Sequence, residues 1–259
     1  MDIVVLLKQV PATESIIAVG GDGKSIKTDD LKWVISPYDE FAVEEALRIR
    51  EGQGGKVTIL TVGPDKATEA VRTALAMGAD EGVLINDPAA LACDGLGVAR
   101  ILAAALKQMP FDLVIAGQRA VDDDNYLVGT AVAEYMGIPN ISMVNREEIA
   151  DGKIKCRQTI EGGTVTLEAD LPVLFTTQRG LNEPRYASLP GIMKAKKKPL
   201  ETKSLADLGI DAATLQPVTA IAALQPPPER KGGRIIEGET AAEKAAELVK
   251  LLSEEAKVL

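Results

Sequence analysis

One turn of this chain combines residue types that could hold a phosphate group. It runs Gly117-Gln-Arg-Ala-Val-Asp-Asp-Asp-Asn-Tyr-Leu-Val-Gly129, between an apolar run at 112–116 and a helical pattern at 126–136. The first turn of a helix offers unpaired N–H groups and a positive dipole end, which attract anions, and glycines let the backbone approach a ligand closely. The turn therefore predicts a phosphate site. Ordinary capping of the helix by Asp124 is the alternative.

A second segment, residues 181–201, has the composition of a docking surface, and we call it the arm. Its apolar residues Tyr186, Leu189, Ile192 and Met193 are followed at once by a basic run that ends at Lys198. Three prolines in the arm each fix φ and remove a hydrogen-bond donor, so neither a long helix nor a central strand is expected. We predict a proline-braced loop that contacts another protein. A loop packed on the core with a solvated lysine face is the alternative.

The composition excludes several kinds of chemistry. Histidine, the most common general base and metal ligand, is absent from the 259 residues. Cys93 and Cys156 stand alone without a CxxC spacing, so we predict no disulfide, zinc or iron–sulfur site and expect both thiols to be buried. A net charge of −9 argues against a nucleic-acid partner, whereas the basic run of the arm would suit an acidic protein.

The elements that would position the turn alternate along the first 140 residues. Short runs that are apolar on both faces alternate with helical patterns, as is typical of parallel strands covered by helices. The expected strands are 3–7, 57–62, 82–85 and 112–116, and the expected helices are 40–50, 67–77, 96–109 and 126–136. This order predicts a doubly wound sheet, in which ligands bind at the carboxyl ends of the strands. The turn at 117–129 follows such an end.

Residues 141–178 have a different pattern. The segments 152–160 and 164–168 predict two strands around the glycine turn Glu161-Gly-Gly163, and 171–176 predicts another strand. We expect this hairpin to lie on the same sheet or to extend its edge.

The last residues predict a linker and a helix. Pro226–Pro228 and Lys231–Gly233 interrupt any regular element. Beyond them, Thr240 and Glu243 form a capping-box pattern, and the helix that follows has one apolar face that must dock on something. That face consists of Ala241, Ala245, Leu248, Leu252 and Ala256.

The start of the chain predicts a strand rather than a signal peptide. Met1-Asp-Ile-Val-Val-Leu-Leu-Lys8 has no basic region ahead of its apolar residues, and no run of about 18 apolar residues follows anywhere. We therefore expect a cytoplasmic protein without direct membrane insertion.

The arm also resembles a known family. Its sequence LNEPRYASLPGIMKAKKK, which begins at Leu181, is similar to the recognition loop of the β subunit of electron transfer flavoproteins. The similarity covers nearly all of residues 1–201 and includes Pro37-Tyr-Asp-Glu-Phe-Ala-Val-Glu-Glu-Ala46, Ala70-Val-Arg-Thr-Ala-Leu-Ala-Met-Gly-Ala-Asp80 and Gly117-Gln-Arg-Ala-Val-Asp-Asp-Asp124.

The resemblance implies a fold and its divisions. The expected class is α/β, a doubly wound, mostly parallel sheet of the adenine-nucleotide α-hydrolase-like kind, with an extended recognition arm and a C-terminal helix. Three parts are expected: a nucleotide-binding domain at 1–180, the arm at 181–201, and a strap and helix at 202–259 that dock on the α subunit.

The resemblance also implies that the turn holds the phosphates of a nucleotide and that an earlier loop and two strand ends enclose the rest. The residues carried over are Leu6, Ser36, Pro37, Tyr38, Asp39, Val62, Gly117, Gln118, Arg119, Ala120, Val121, Asp122, Asp123, Asp124, Asn125, Tyr126, Leu127, Val128 and Gly129.

The identity of the nucleotide is left open between two groups of the family. Ordinary members hold a structural AMP at this turn, and electron-bifurcating members hold a second FAD that meets NADH. The triplet Asp122–Asp124 resembles the first group, and Val128–Gly129 resembles the second. We predict AMP here, with the redox FAD in the α subunit.

The implied function is that of an electron carrier subunit rather than a stand-alone enzyme. Electrons would pass from acyl-CoA or related dehydrogenases, through the α-subunit FAD, to a downstream quinone oxidoreductase or other acceptor. In the family, the leucine that matches Leu189 inserts into an apolar pocket of the dehydrogenase. The residues predicted around it are Tyr186, Ile192, Met193, Lys194 and Lys197.

Two other functions remain as alternatives. One is the β subunit of a bifurcating enzyme, with FAD in the crevice and NADH as the donor. The other is a nucleotide-binding domain without a redox role, a class in which the arm has no counterpart.

Overall fold

The computed structural model describes residues 1–228 and 232–259, so Lys231 of the predicted linker lies outside the described residues. The strands are β1 (Asp2–Leu6), β2 (Gln9–Pro11), β3 (Trp33–Ile35), β4 (Lys56–Val62), β5 (Glu81–Ile85), β6 (Leu113–Gly117), β7 (Asn140–Ala150), β8 (Lys153–Ile160), β9 (Gly163–Asp170), β10 (Val173–Thr177) and β11 (Leu200–Lys203). The helices are α1 (Pro37–Gln53), α2 (Thr68–Met77), α3 (Pro88–Leu91), α4 (Gly95–Leu106), α5 (Val128–Met136), α6 (Leu189–Ala195) and α7 (Ala241–Glu254).

The central element is a nine-stranded sheet in the order β11-β5-β4-β1-β6-β10-β7-β8-β9. From β11 to β7 the neighbouring strands are parallel, and β8 and β9 continue the sheet as antiparallel strands. The prediction of a doubly wound, mostly parallel sheet is thereby confirmed. The chain builds outward from β1 to β4 and β5, then returns to place β6 on the other side of β1. The strand order therefore reverses between β1 and β6, where ligands of such sheets bind.

The core consists of two aliphatic layers, one on each face of the sheet. Ile3 and Val5 pack on one face with residues of α1 and α2, and Val4 and Leu6 pack on the other face with residues of α4 and α5. Successive residues of a strand point to opposite faces, so a strand covered on both sides must be apolar throughout. This requirement is the physical reason that the apolar runs predicted these strands correctly.

The hairpin prediction is also confirmed. Strands β8 and β9 pair from Lys153 with Asp170 to Ile160 with Gly163, and they extend the edge of the sheet next to β7. Gly162 in the connecting turn has φ +80°, a conformation that glycine adopts at no steric cost.

Four strands were missing from the sequence prediction: β2 and β3, which pair with each other in a separate small sheet, and β7 and β11 of the central sheet. β7 has a mixed sequence because its second half, from Asn145, leaves the covered part of the sheet and is mostly exposed or half-buried. β11 follows Pro199 directly and pairs with β5 at the edge of the sheet, where a preceding proline removes no ladder hydrogen bond. Neither β7 nor β11 has the continuous apolar character that identified the others.

The chain divides into two compact units, Met1–Ala223 and Leu224–Leu259. In the second unit, α7 begins after Thr240, whose side chain accepts a hydrogen bond from the Glu243 N–H while the Glu243 carboxylate accepts from the Thr240 N–H. The predicted capping box is therefore confirmed. Across residues 1–228 and 232–259, no helix has both the length and the apolar character needed to cross a membrane.

Candidate functional site

A cavity of about 920 Å³ lies at the carboxyl ends of β1, β4 and β6, where the strand order reverses. Its size is within the range of about 300–1,000 Å³ that small-molecule sites have. The structure brings most of the predicted nucleotide residues to its wall. These are Leu6, Asp39, Val62, Gly117, Gln118, Arg119, Ala120, Asp122, Asp123, Asn125, Leu127, Val128 and Gly129.

The remaining predicted residues lie outside the cavity wall. Ser36 is fully buried just before α1, and the carbonyl oxygen of Tyr38 accepts a hydrogen bond from Thr177 Oγ1 at 2.7 Å. Asp124 and Tyr126 belong to the loop ahead of α5 and have left-handed backbone conformations, with φ +49° and +55°. The other two residues that do not line the cavity are Pro37 and Val121.

The alternative interpretation of the turn, capping of α5 by Asp124, is wrong. The helix begins at Val128 with Leu127 as the preceding residue, and no side chain in the described part of the chain caps it. Instead, the Asp124 carboxylate pairs with Arg119 at 3.2 Å, and the Asp124 N–H donates to the carbonyl of Ala120. The amino terminus of α5 therefore keeps the N–H groups of its first turn free of a side-chain cap at the cavity wall.

Sequence reasoning missed a second helix start at the same cavity. Cys93, Asp94 and Gly95 line the cavity at the beginning of α4, and Val98 and Leu102 line it further along the helix. Asp94 caps α4 by accepting from the Gly97 N–H at 3.0 Å. The sequence Asp94-Gly-Leu-Gly97, an N-cap residue before a glycine-rich helix start, was a signal that could have identified it. Cys93 is half-buried rather than buried as predicted, whereas Cys156 is buried.

Asp39 joins the two strands that flank the reversal point. Its Oδ2 accepts from the Lys8 N–H at 2.7 Å, and its Oδ1 accepts from the Gly117 N–H at 2.9 Å. Burial raises the pKa of Asp39 to about 7. The two N–H donors and the Lys8 ammonium lower this pKa, but the effect of burial is larger. Asp39 is thus both part of the cavity wall and a structural bridge between the ends of β1 and β6.

We expect the Asp39→Asn variant to lose a pH dependence of stability that the wild type has. Between the ordinary pKa of 3.8 and the folded value of about 7, the folded protein keeps a proton that the unfolded chain has lost. The contribution of this group to stability therefore falls as pH rises through that interval, by at most about 1.4 kcal/mol per pH unit. Urea unfolding of both proteins at pH 5 and pH 8 measures the difference. Burial also raises the pKa of Glu147, but Glu147 is present in both proteins, so its effect cancels in the comparison. Equal pH slopes for wild type and variant would contradict the raised pKa of Asp39.

The charges beside α5 are largely paired. Lys8 Nζ lies 2.9 Å from Asp122 Oδ1 and 3.1 Å from Asp123 Oδ2. Burial lowers the pKa of Lys8, but the two carboxylates outweigh it and raise the pKa. The three consecutive aspartates are therefore not a free negative patch, because Lys8 holds two of them and Arg119 holds the third.

Arg119 is held between two aromatic rings. Its guanidinium carbon lies 5.1 Å from the centre of the Tyr38 ring and 5.0 Å from that of Tyr126, and its Nη2 donates to Tyr38 Oη at 3.1 Å. A cation in this position is attracted to the negative face of each ring. It fixes the loop between β6 and α5 against the beginning of α1.

The two glycines of the turn line the cavity, and each also allows a close packing contact that the sequence did not predict. A Cβ atom at Gly117 would lie 2.3 Å from Asp39 Oδ1, and one at Gly129 would lie 2.9 Å from Thr176 Cγ2. Gly117 thus permits the Asp39 bridge, and Gly129 lets α5 lie close to β10.

One acceptor oxygen of Gln118 is buried without a hydrogen-bond donor among the described residues. The residue is 7% exposed and lines the cavity, and its Nε2 donates to Gln178 Oε1 at 3.0 Å. Its own Oε1 has no hydrogen-bond partner among the described residues. A buried oxygen without a partner costs about 1–3 kcal/mol, which a ligand with an N–H or O–H group would offset.

The arm contains a helix where the sequence predicted only a loop. α6 spans Leu189–Ala195, with Ser188 as its N-cap and Pro190 in its first turn, where a missing N–H costs nothing. Tyr186 is 97% exposed, Leu189 81% and Met193 74%, and Ile192 is also exposed. The predicted docking residues therefore form one solvent-facing apolar group on and beside a short helix.

This helix is fixed on α2 by reciprocal contacts. Arg72 of α2 donates to the carbonyls of Ala195 at 2.6 Å and Lys198 at 2.8 Å. Lys198 Nζ in turn donates to carbonyls at the end of α2, including Leu75 at 3.0 Å. A Cβ atom at Gly191 would lie 2.4 Å from the carbonyl oxygen of Ala76, so only glycine allows this approach. Lys198 is thus a helix cap rather than part of the solvated basic patch that the sequence suggested.

Comparison with known proteins gives one consistent result. A family model described as "Electron transfer flavoprotein domain" matches residues 24–208, more than half of the chain. A protein named electron transfer flavoprotein subunit beta from Bacillus subtilis (strain 168) is 41% identical over 260 residues, which cover 100% of both chains. Proteins of the same name from Bos taurus and Homo sapiens are 40% and 38% identical, and cover 85% and 91% of this chain and 87% and 92% of their own.

Proposed function

The chain belongs to the electron transfer flavoprotein family, among its β subunits, and from this premise we propose that it pairs with an α subunit that carries the redox FAD. We further propose that it holds AMP in the cavity at the ends of β1, β4 and β6. Its role is to carry electrons, as part of that heterodimer, from acyl-CoA or related dehydrogenases to a downstream quinone oxidoreductase or other acceptor.

The observation that carries the nucleotide proposal is the convergence of three features on one cavity. The start of α5, which no side chain of the described residues caps, lines it and favours phosphate, and the start of α4, which Asp94 caps, forms another part of the wall. Gln118 Oε1 is a buried acceptor that lacks a donor among the described residues. The N–H groups at the start of α5 and the free acceptor of Gln118 therefore fit a ligand with a phosphate at one end and an N–H or O–H donor elsewhere.

The cavity also offers an apolar surface for a base. Leu6, Val62, Val98 and Leu102 supply aliphatic side chains on its wall. The first-turn N–H groups of α5 and the Lys8 ammonium would hold the phosphate, and the paired state of Asp122 and Asp123 limits repulsion. When bound, AMP supplies no redox chemistry, so its contribution here would be to stabilise the ends of the central strands.

The docking proposal depends on the exposed apolar group of the arm. Tyr186, Leu189, Ile192 and Met193 face solvent on a helix that α2 holds in place, with Lys194 and Lys197 beside them. An apolar anchor inside a charged rim is the arrangement of an interface hot spot. This arrangement supports docking on a dehydrogenase surface that has an apolar pocket surrounded by acidic residues. A contact of this small size suits a transient electron-transfer complex.

Counting the bound nucleotides tests this proposal. The chain is co-expressed with its α subunit, the purified heterodimer is denatured, and the released nucleotides are separated and quantified by absorbance. We expect one FAD and one AMP per heterodimer. Two FAD molecules would instead indicate a bifurcating enzyme with FAD in this cavity, and a single FAD with no second nucleotide would contradict the nucleotide proposal.

A further inference from the structure

One wall of the cavity is formed by a segment without regular secondary structure, Leu215–Ile221, which we call the covering segment. Pro217, Thr219, Ala220 and Ile221 from this segment line the cavity. The other walls are strand ends, helices and the loop between β6 and α5. Within the covering segment, which the structure describes in full, no backbone hydrogen bond joins two residues to each other.

The Asp94 carboxylate makes most of the hydrogen bonds that connect the covering segment to the rest of the cavity wall. Asp94 Oδ2 accepts from the Val218 N–H at 2.8 Å, from the Thr219 N–H at 3.1 Å and from Thr219 Oγ1 at 3.2 Å. Its Oδ1 is occupied separately, because it accepts from the Gly97 N–H at the start of α4. Asp94 therefore caps α4 with one oxygen and holds the covering segment with the other.

The attachment of the covering segment is otherwise sparse. Upstream, Leu215 is buried and its carbonyl accepts from the Cys93 thiol at 3.8 Å, and the Thr214 carbonyl accepts from Arg100 Nη1 at 2.7 Å. Downstream of Thr219, no hydrogen bond within residues 1–228 and 232–259 holds Ala220 or Ile221. Segments with few hydrogen bonds and little buried surface open at the lowest free-energy cost. Loss of the Asp94 contacts would free the segment from Pro217 onward.

We infer that Asp94 is a positioning residue that keeps the covering segment closed over the bound nucleotide and so sets the rate at which the nucleotide leaves. The inference rests on the proposed nucleotide site. Asp94 acts through the covering segment rather than on the ligand, because both of its oxygens are already occupied by protein donors. A negative charge in direct contact with a phosphate would also be unfavourable.

The test measures release of radiolabelled AMP from the full heterodimer after dilution into excess unlabelled AMP. In Asp94→Asn the amide cannot accept at both positions, yet Asn is as good an N-cap as Asp, so α4 and the melting temperature should change little. We expect release to be about tenfold faster than in the wild type, as the loss of charge-assisted hydrogen bonds predicts. Asp211→Asn is the matched control, because Asp211 caps the short turn Ala212–Thr214 and is not part of the cavity wall.

A second variant tests the same contact from the other side. Val218→Pro removes one N–H donor to Asp94 and leaves the α4 cap intact. It should also speed release, and the double variant should release AMP no faster than the faster single variant, because both changes break one connection.

The outcomes separate this inference from the proposed function. If the wild type retains AMP and both single variants release it within twofold of the wild-type rate, the inference is wrong and the nucleotide site stands. Additive effects in the double variant would likewise contradict a shared connection. If the wild type does not retain AMP, the proposed function itself fails.

Discussion

Replacing Leu189 by alanine is expected to slow reduction of the heterodimer by an acyl-CoA dehydrogenase by about 30-fold when the heterodimer is below saturation. Leu189 is 81% exposed at the start of α6, so its side chain contributes nothing to the core and is available to a partner. Truncation of a central apolar anchor typically costs about 2 kcal/mol or more of binding free energy, and each 1.4 kcal/mol is a factor of ten.

The loss should be a docking defect rather than a folding defect. The change leaves the Ser188 cap and the Gly191 contact with α2 in place, and alanine is a good helix former. Stopped-flow measurement of flavin reduction at increasing heterodimer concentration should show a raised apparent KM with assembly unchanged. Ile16→Ala is a matched control, since Ile16 is 93% exposed outside the arm. Equal rates for wild type and Leu189→Ala would rule out the docking role.

Replacing Arg185 by alanine is expected to detach the first half of the arm and to lower the free energy of unfolding by about 2–3 kcal/mol. Arg185 Nε and Nη2 donate to the two oxygens of Glu44 at 2.8 and 3.0 Å, and the guanidinium also pairs with Glu51. The Glu44 side chain is only 4% exposed, so removal of the guanidinium leaves a nearly buried carboxylate that keeps Arg48 and the backbone N–H of residue 185 as partners.

Two measurements separate this anchoring role from a general loss of stability. Urea unfolding gives the free-energy change, and hydrogen exchange should show faster exchange in residues 181–188 while the central strands stay protected. Dehydrogenase reduction should slow as well, because Tyr186, which follows Arg185 directly, would no longer be held in place beside α6. Arg179→Ala is the control, since Arg179 is exposed and no ion pair involving it is found in the described residues. Unchanged exchange in the arm would show that Arg185 does not anchor it.

Three residues of the cavity wall combine a predicted ligand role with a structural role. Asp39, Gly117 and Gly129 were predicted as ligand contacts, and each of them also makes a contact that only the fold reveals. A substitution at any of the three would therefore combine a loss of structure with any loss of nucleotide. The release experiment with Asp94→Asn and Val218→Pro is therefore a more informative test of the cavity than substitutions at these three residues, because we expect those two variants to keep the fold.

The sequence by itself determined the features that depend on short-range patterns. The parallel strands β1, β4, β5 and β6 were predictable because strands covered on both faces must be apolar throughout. The hairpin β8–β9 and the capping box of α7 were predictable because turn and cap chemistry involve residues only a few positions apart.

Tertiary structure alone decided the features that join distant residues. Asp39 contacts Gly117, Arg185 contacts Glu44, and Asp94 contacts Val218, and no local pattern encodes these pairs. For the same reason Lys198 became the cap of α2 rather than a surface charge, and Asp124 became the partner of Arg119 rather than the cap of α5. A polar side chain takes whichever donors or acceptors the folded chain brings within about 3 Å, and sequence spacing does not determine which those are.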